Sequence, residues 1–498
     1  MSNPSSVRHP LGGPIVRVAT ALCLAFATIA LAGGYWGVVQ APDLTRSPYD
    51  AAVIAASRTV PRGRILDRNG RVLALNKRDA NGDLYRVYAG PTISPVVGYA
   101  SPRYGRAGLE RTYDAELSGL AGDPLRDPFR KFRNDPYDPK DLTLSLSYDL
   151  QRAAAKALGD QKGAVVMLDP RTGEILAMAS SPYYDANLIT DPATAEASFK
   201  RLLADPTQPL LPRATLGRYV PGSVFKIVTA IAGLGLGAAT PSTTYAEQPG
   251  AEKDGLGVDG FTIHDGHHPA TGSRALDLVG ATEVSCNIWY ALTGLATGGE
   301  QLTKYAERMG FDAPLPFDLP TAVSQVTGGK GSQPGGFKDD VELANAAYGQ
   351  GETYVTPLQM ALVASTIANR GVLMQPHLVT AMTGDGGTRP IDPTVMSTVL
   401  SSSDAEAIAV AMQAAVEGDL GQHFTSGAKV PGVPTAGKSG TAELGGTGEP
   451  HSWFIGFAPA DAPTVAIAVL VEQGGRGAEA AAPIAGDMMA RYLLGTTP

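Results

Sequence analysis

The sequence predicts an α+β protein in three parts: an N-terminal transmembrane helix, a small mostly-β domain, and a larger domain whose central antiparallel sheet is flanked by helices. Three observations predict it. Residues 18–42 carry no charge. Two pairs of apolar segments are each joined by a turn sequence, one around Asn69-Gly70 and one across Asp169-Pro-Arg-Thr-Gly173. In the larger part, strand-like runs stand early and late with helical patterns between them, the signature of a sheet closed by both chain ends and packed against helices. No repeat is visible at a period of 20–50 residues.

Composition narrows the class further. Of 498 residues, 44% are hydrophobic, enough for a sizeable core. A net charge of −8 argues against a nucleic-acid binder. Two cysteines, Cys23 and Cys286, are too few for a disulfide scaffold or a structural zinc module.

The uncharged run is long enough, at ~1.5 Å per helical residue, to exceed the ~30 Å hydrocarbon core of a bilayer. Tyr35 and Trp36 fall near its far end, where amphipathic rings favour the interface. Arg8 and Arg17 precede it and Asp43 follows, so the positive-inside bias places residues 1–17 in the cytoplasm, 18–40 in the membrane and the rest outside. A cleaved signal peptide is the competing reading, because Ala30-Leu-Ala32 resembles a cleavage site. Either way the bulk of the chain works outside the cytoplasm, where ATP-driven chemistry is excluded.

Residues 41–140 form the small domain. Its first ordered signal is Arg62-Gly-Arg-Ile-Leu-Asp-Arg-Asn-Gly-Arg-Val-Leu-Ala-Leu-Asn76, a hairpin turning at Asn69-Gly70, where both residues tolerate φ > 0. The polar run Arg130–Lys140 reads as a linker. Residues 141–498 form the larger domain. Gln151–Leu158 reads as a helix, followed by the strands Val165–Leu168 and Ile175–Met178. Val341–Ala347 and Leu358–Ile367 carry helical patterns. Val433–Leu444, Trp453–Phe457 and Val465–Val471 return to strands, and Ile484, Met488 and Tyr492 mark a last helix.

The chemistry begins at Pro221-Gly222, a turn, followed by Ser223-Val-Phe-Lys-Ile-Val-Thr-Ala-Ile231, an apolar helix expected to be buried. Ser223 and Lys226 fall on one face of it. A lysine in a buried helix must be paired or neutral. A neutral amine near a serine hydroxyl can take its proton and make it a nucleophile. By itself the tetrapeptide also fits a capping serine beside a lysine that reaches solvent. Two more fragments bear on the choice. Ser285-Cys-Asn287 offers a hydroxyl for proton relay and a carboxamide for holding a substrate amide. Lys438-Ser-Gly-Thr441 lies on an expected strand, where Gly440 lets a ligand backbone approach and Lys438 and Thr441 suit a carboxylate.

In this order the three fragments resemble the Ser-x-x-Lys, Ser-x-Asn and Lys-Ser/Thr-Gly motifs of the penicillin-recognising serine transferases and hydrolases. The resemblance extends along the chain. Arg62–Gly70 and Gly108-Leu-Glu-Arg-Thr-Tyr-Asp114 resemble parts of the pedestal domain of class B penicillin-binding proteins. Leu211-Leu-Pro-Arg-Ala214, Tyr219–Ser223, Tyr348-Gly-Gln-Gly351 and Thr356-Pro-Leu-Gln359 resemble parts of their transpeptidase domain. The short pedestal is most similar to the actinobacterial penicillin-binding protein A type. Pro212 stands where that family usually has Asn, and Ser439 where Thr is commoner, which keeps the hydroxyl.

The resemblance implies a peptidoglycan D,D-transpeptidase. Ser223 becomes the acyl acceptor, Lys226 its base and Ser285 a proton relay. Asn287, Lys438, Ser439, Gly440 and Thr441 bind the donor peptide, and the Ser223 and Thr441 N–H groups form the oxyanion hole. It also implies substrates that are stem peptides ending in D-Ala-D-Ala, acylation by β-lactams, no metal or organic cofactor, and a membrane glycosyltransferase partner of the shape, elongation, division and sporulation family. A β-lactamase, or a β-lactam-binding sensor or scaffold of the same fold, is the alternative.

Four other patterns are weaker. Gly432–Ser439 matches a phosphate-loop pattern, but the Gly-rich continuation to Gly448 cannot form the helix such a loop must open. His264-Asp-Gly-His-His268 contains metal-ligand residue types but reads as an exposed loop. Cys286 reads as a buried small residue, and Gly233-Leu-Gly-Leu-Gly237 as the end of the Ser223 helix.

Overall fold

A computed structural model describes residues 12–35, 60–119, 138–265, 274–421, 425–445 and 448–495. Helix α1 (Gly12–Gly34) stands as a unit separate from the body that begins at Pro61. Within it, Val16–Gly33 has a mean hydropathy of 1.9, long and apolar enough to cross a membrane. The helix starts earlier than the uncharged run and takes in Arg17; Trp36 and residues 130–137 of the expected linker lie outside the described residues.

The body opens with β1 (Ile65–Leu66), β2 (Val72–Arg78), β3 (Leu84–Tyr88) and β4 (Asp141–Leu144). Helix α2 (Tyr148–Leu158) follows, starting three residues before the sequence pattern because the Ser147 side chain accepts the Leu150 N–H and caps it. Then come β5 (Gly163–Leu168) and β6 (Ile175–Ser181), helices α3 (Lys226–Leu236), α4 (Asn287–Thr297) and α5 (Pro357–Ala368), and a hairpin of β7 (Val379–Gly384) and β8 (Gly387–Pro390). The chain ends with α6 (Ser402–Glu417), β9 (Ala436–Ala442), β10 (His451–Ala458), β11 (Val465–Val471) and α7 (Ala481–Leu494).

Two sheets organise these strands. One, six-stranded, runs β8-β7-β4-β1-β2-β3 and is antiparallel except where β1 pairs with β4. It therefore takes strands from both sides of residue 140. Asn69-Gly70 makes the β1–β2 turn, with Gly70 at φ +81°. The other, five-stranded, runs β9-β10-β11-β5-β6 and is antiparallel throughout, closed by the two ends of the domain.

Strands β5, β6 and β11 are buried at every position, which explains their continuous apolar runs: both faces of the sheet are covered. Successive side chains alternate between those faces. Val165, Met167, Ile467 and Val469 join a core with residues of α2 and α7. Ala164, Val166, Leu168, Ala468 and Leu470 join the main core with residues of α3 and α5. β9 is left as an edge strand, with one side of its backbone open to the segment that carries Ser223.

Candidate active site

The segment Tyr219–Phe225 is held by a sequence of backbone contacts. Tyr219 and Val355 exchange N–H···O bonds of 2.9 Å in both directions. Val220 O accepts the Trp453 indole N–H at 3.0 Å, and Gly222 N donates to Gly349 O at 2.9 Å. Gly222 adopts φ +57°, and a Cβ there would stand 2.7 Å from the Thr441 carbonyl oxygen. Glycine is what lets the turn lie against the edge strand.

Sequence reading expected one helix from Ser223. The first turn, Gly222–Phe225, is instead a 3₁₀ turn, and the α-helix begins at Lys226. Short 3₁₀ turns of this kind are common at helix N-termini. The helix closes at Gly237 in the left-handed region, as the glycine-rich run predicted. Val224, Phe225 and Ile227 are fully buried, and Lys226 is buried with them.

The Lys226 amine donates to the Ser285 carbonyl at 2.6 Å, to Asn287 Oδ1 at 2.8 Å and to Ser285 Oγ at 3.2 Å. The first and second motifs thus converge on one nitrogen. Among the described residues Lys226 makes no hydrogen bond to Ser223, which precedes it by one turn. In unliganded sites such bonds are often long and tighten with substrate. Burial lowers the Lys226 pKa to about 8, against the opposing pull of Asp265 and Cys286.

Ser285 holds its place at a cost. It sits at φ +62°, in the left-handed region, which costs a non-glycine residue roughly 1–2 kcal/mol. Cys286 follows as the N-cap of α4, its sulfur accepting the Trp289 N–H at 3.3 Å. Burial, then Asp265, push its thiol well above the usual range, so it is a neutral, buried side chain.

On the opposite wall, Lys438, Ser439, Gly440 and Thr441 lie on β9, in register with Ile455, Phe454, Trp453 and Ser452. This is strand, not the helix start that a phosphate loop requires. A Cβ at Gly440 would stand 2.9 Å from Pro221 O and 3.1 Å from Val224 Cγ1, so the third motif packs directly on the Ser223 turn. Lys438 is buried and donates to Ser439 O at 3.1 Å. Burial, and next the Lys226 charge, hold it well below the ordinary lysine value. The structure thus joins Lys226, Ser285 and Asn287 directly and packs the strand that carries Lys438–Thr441 against the turn that carries Ser223.

Sequence reading placed Asp265 in an exposed loop. The structure places it against the site: its Oδ1 accepts the Asn287 N–H at 2.7 Å, while His264 O accepts Asn287 Nδ2 at 3.3 Å. His267 and His268 lie outside the described residues. Glu252 and Asp265 bring carboxylate oxygens within 4.8 Å of each other and of Cys286 Sγ, and the neutral thiol donates to Glu252 at 3.5 Å. Nothing in the spacing of these residues signals that grouping. Tyr348-Gly349, placed against Gly222, was readable only through its resemblance.

Comparison with known proteins gives a consistent picture. Residues 163–490 match the penicillin binding protein transpeptidase domain, and residues 62–130 the penicillin binding protein A dimerisation domain. The chain is 34% identical over 505 residues to the peptidoglycan D,D-transpeptidase PbpA of Mycolicibacterium smegmatis, covering 96% of this chain and 98% of that one. It is 34% identical to the protein of the same name from Mycobacterium tuberculosis, covering 92% and 94%. Penicillin-binding protein A from M. tuberculosis, solved as a ceftriaxone acyl-enzyme complex, superposes with a TM-score of 0.76 at 32% identity, covering 88% of this chain and 99% of that one. The penicillin G acyl-enzyme complex gives 0.75, with 88% and 100% covered.

Proposed function

The chain belongs to the penicillin-binding protein transpeptidases, and on that premise we infer that it is a peptidoglycan D,D-transpeptidase that forms a Ser223 acyl-enzyme and is acylated by β-lactams. The observation that carries the assignment of roles is the buried Lys226 amine, held by Ser285 and Asn287 one turn after Ser223 and across from Lys438.

In the proposed reaction the neutral Lys226 amine takes the Ser223 proton as Oγ attacks the penultimate D-Ala carbonyl. The Ser223 and Thr441 N–H groups stabilise the developing oxyanion, where a single donor is commonly worth ~3 kcal/mol of barrier. Ser285 relays the proton to the leaving amine, and the terminal D-Ala departs. An amine from a neighbouring stem then attacks the ester, returning Ser223. Asn287 holds the donor amide, and Lys438, Ser439 and Thr441 its terminal carboxylate. A β-lactam enters as a donor mimic whose leaving group stays attached.

In this reading α1 anchors the chain, with residues 1–17 cytoplasmic, residues 41–140 as a pedestal and 141–498 as the catalytic domain outside. The family resemblance adds a membrane glycosyltransferase partner. The direct test is labelling of the purified protein with a fluorescent penicillin, followed by mass mapping of the adduct. One adduct per chain on Ser223, absent in Ser223→Ala, is the expected result. An adduct that survives that substitution overturns the assignment, and rapid catalytic turnover of the drug indicates a β-lactamase instead.

A further inference from the structure

Before the Ser223 turn runs a segment to which the proposed reaction gives no role. Arg213 lies ten residues before Ser223, and its side chain is only 2% exposed. All of its nitrogens have partners: Nε donates to Glu472 Oε1 at 2.7 Å, Nη1 to Gln208 O at 3.1 Å and Nη2 to Thr207 O at 2.7 Å. Tyr219 donates its hydroxyl to the same Glu472 oxygen at 2.8 Å. One carboxylate oxygen therefore holds both ends of the segment 213–219, which leads straight into Pro221-Gly222-Ser223.

Glu472 is itself fixed. It follows β11 directly, and its N–H donates to Lys162 O at 2.7 Å, at the start of β5. The Tyr219 ring packs edge-on against His451 at 5.4 Å and Trp453 at 6.3 Å, both on β10. Trp453 pairs in register with Gly440 and holds Val220 O. Two routes thus join the nucleophile segment to the sheet that carries the third motif: Trp453 through the middle strand, and Glu472 through the end of β11.

We propose that Glu472 is a positioning residue for the acyl transfer, setting the Ser223 turn against the edge strand through Tyr219 and Arg213. This rests on Ser223 being the acyl acceptor. A single Glu472 oxygen takes both Arg213 and Tyr219. Doing so makes the lead-in segment a rigid strut rather than a loop. Rigidity of this kind matters because a misplacement of about 1 Å costs roughly 100-fold in rate.

The test uses Tyr219→Phe, which keeps the ring packing and removes one hydroxyl, together with Glu472→Gln and the double variant. For each, β-lactam acylation is followed by stopped flow to separate the pre-acylation dissociation constant from the acylation rate constant, alongside a melting temperature. We expect the rate constant to fall about tenfold in Tyr219→Phe at an unchanged dissociation constant. The double variant should lose much less than the product of the single losses, because both cut the same link. Unchanged rate constants in Tyr219→Phe and Glu472→Gln, with only the melting temperature lowered, would reduce Glu472 to a structural role and overturn the proposal. If the wild-type protein is not acylated, the failure lies with the functional reading instead.

Discussion

The Lys226 ammonium nitrogen stands 2.6 Å from the Ser285 carbonyl oxygen, and that carbonyl is turned inward by a left-handed Ser285 backbone. Hydrogen bonds to oxygen favour the charged amine, while complete burial disfavours it. Burial wins, bringing the pKa down to about 8. Since only the neutral amine can accept the Ser223 proton, penicillin acylation should rise close to tenfold per pH unit below about 8 and level off above it. A stopped-flow pH profile from 6 to 10 checks this. A flat profile across that range would remove Lys226 from the role of base.

The close approach of the two walls depends on Gly222. An alanine there takes on a left-handed backbone costing ~1–2 kcal/mol. Its Cβ also meets the Thr441 carbonyl at 2.7 Å, so one wall must move. Because Ser223 and Thr441 are the two proposed oxyanion donors, the movement separates them. Gly222→Ala should therefore cut the acylation rate constant by at least ~10-fold while the folded protein is retained, as circular dichroism and a thermal melt would show.

How much of this was legible in the sequence depends on distance along the chain. The three motif fragments are short, and their side chains meet because local elements present them: a turn before α3, the cap of α4, the edge strand β9. The buried strands were readable from apolar runs such as Val165–Leu168 and Val465–Val471. Asp265 and Glu472 were not. Asp265 looked like any loop carboxylate in a Gly- and Asp-rich stretch. Glu472 meets Arg213 across 259 positions, with no pattern linking them. The hairpin β7–β8 was also missed, since β8 is exposed at every position and offers no alternation to read. Only the pairing of β7 with β4 brings it into the six-stranded sheet.

The six-stranded sheet carries Arg86 into a buried charge cluster. Glu110 is fully buried and takes Arg86 at 2.6 Å and Arg62 at 3.0 Å, while Arg62 also meets Asp114 at 2.6 Å. Burial pushes the Glu110 carboxyl up, but Arg86 and Arg62 outweigh it and hold it below the ordinary value. Removing one member of a buried pair leaves the other charge uncompensated, which typically costs ~3–5 kcal/mol. Glu110→Gln should lower the melting temperature accordingly at neutral pH. A depressed folded-state pKa means that this stabilisation is complete above the unfolded value and is lost as pH falls through the folded one. The wild-type protein should therefore lose its advantage over Glu110→Gln on acidification below about pH 4.5. Melts of both proteins across that range check the sign.

Asp265 offers the sharpest separation of charge from shape. Its Oδ1 accepts the Asn287 N–H, a bond that Asp265→Asn keeps through the amide oxygen. What the substitution removes is a negative charge that raises the Lys226 pKa. The amine should then titrate below about 8, so a larger share is neutral at pH 7 and the acylation profile shifts to the acid side. The same loss of charge relieves the Cys286 thiol, which Asp265 helps push up. A midpoint moved down, with the plateau rate intact, is the expected outcome of a pH-resolved acylation series. A midpoint that stays put would mean that Asp265 acts on Lys226 no more than bulk solvent does.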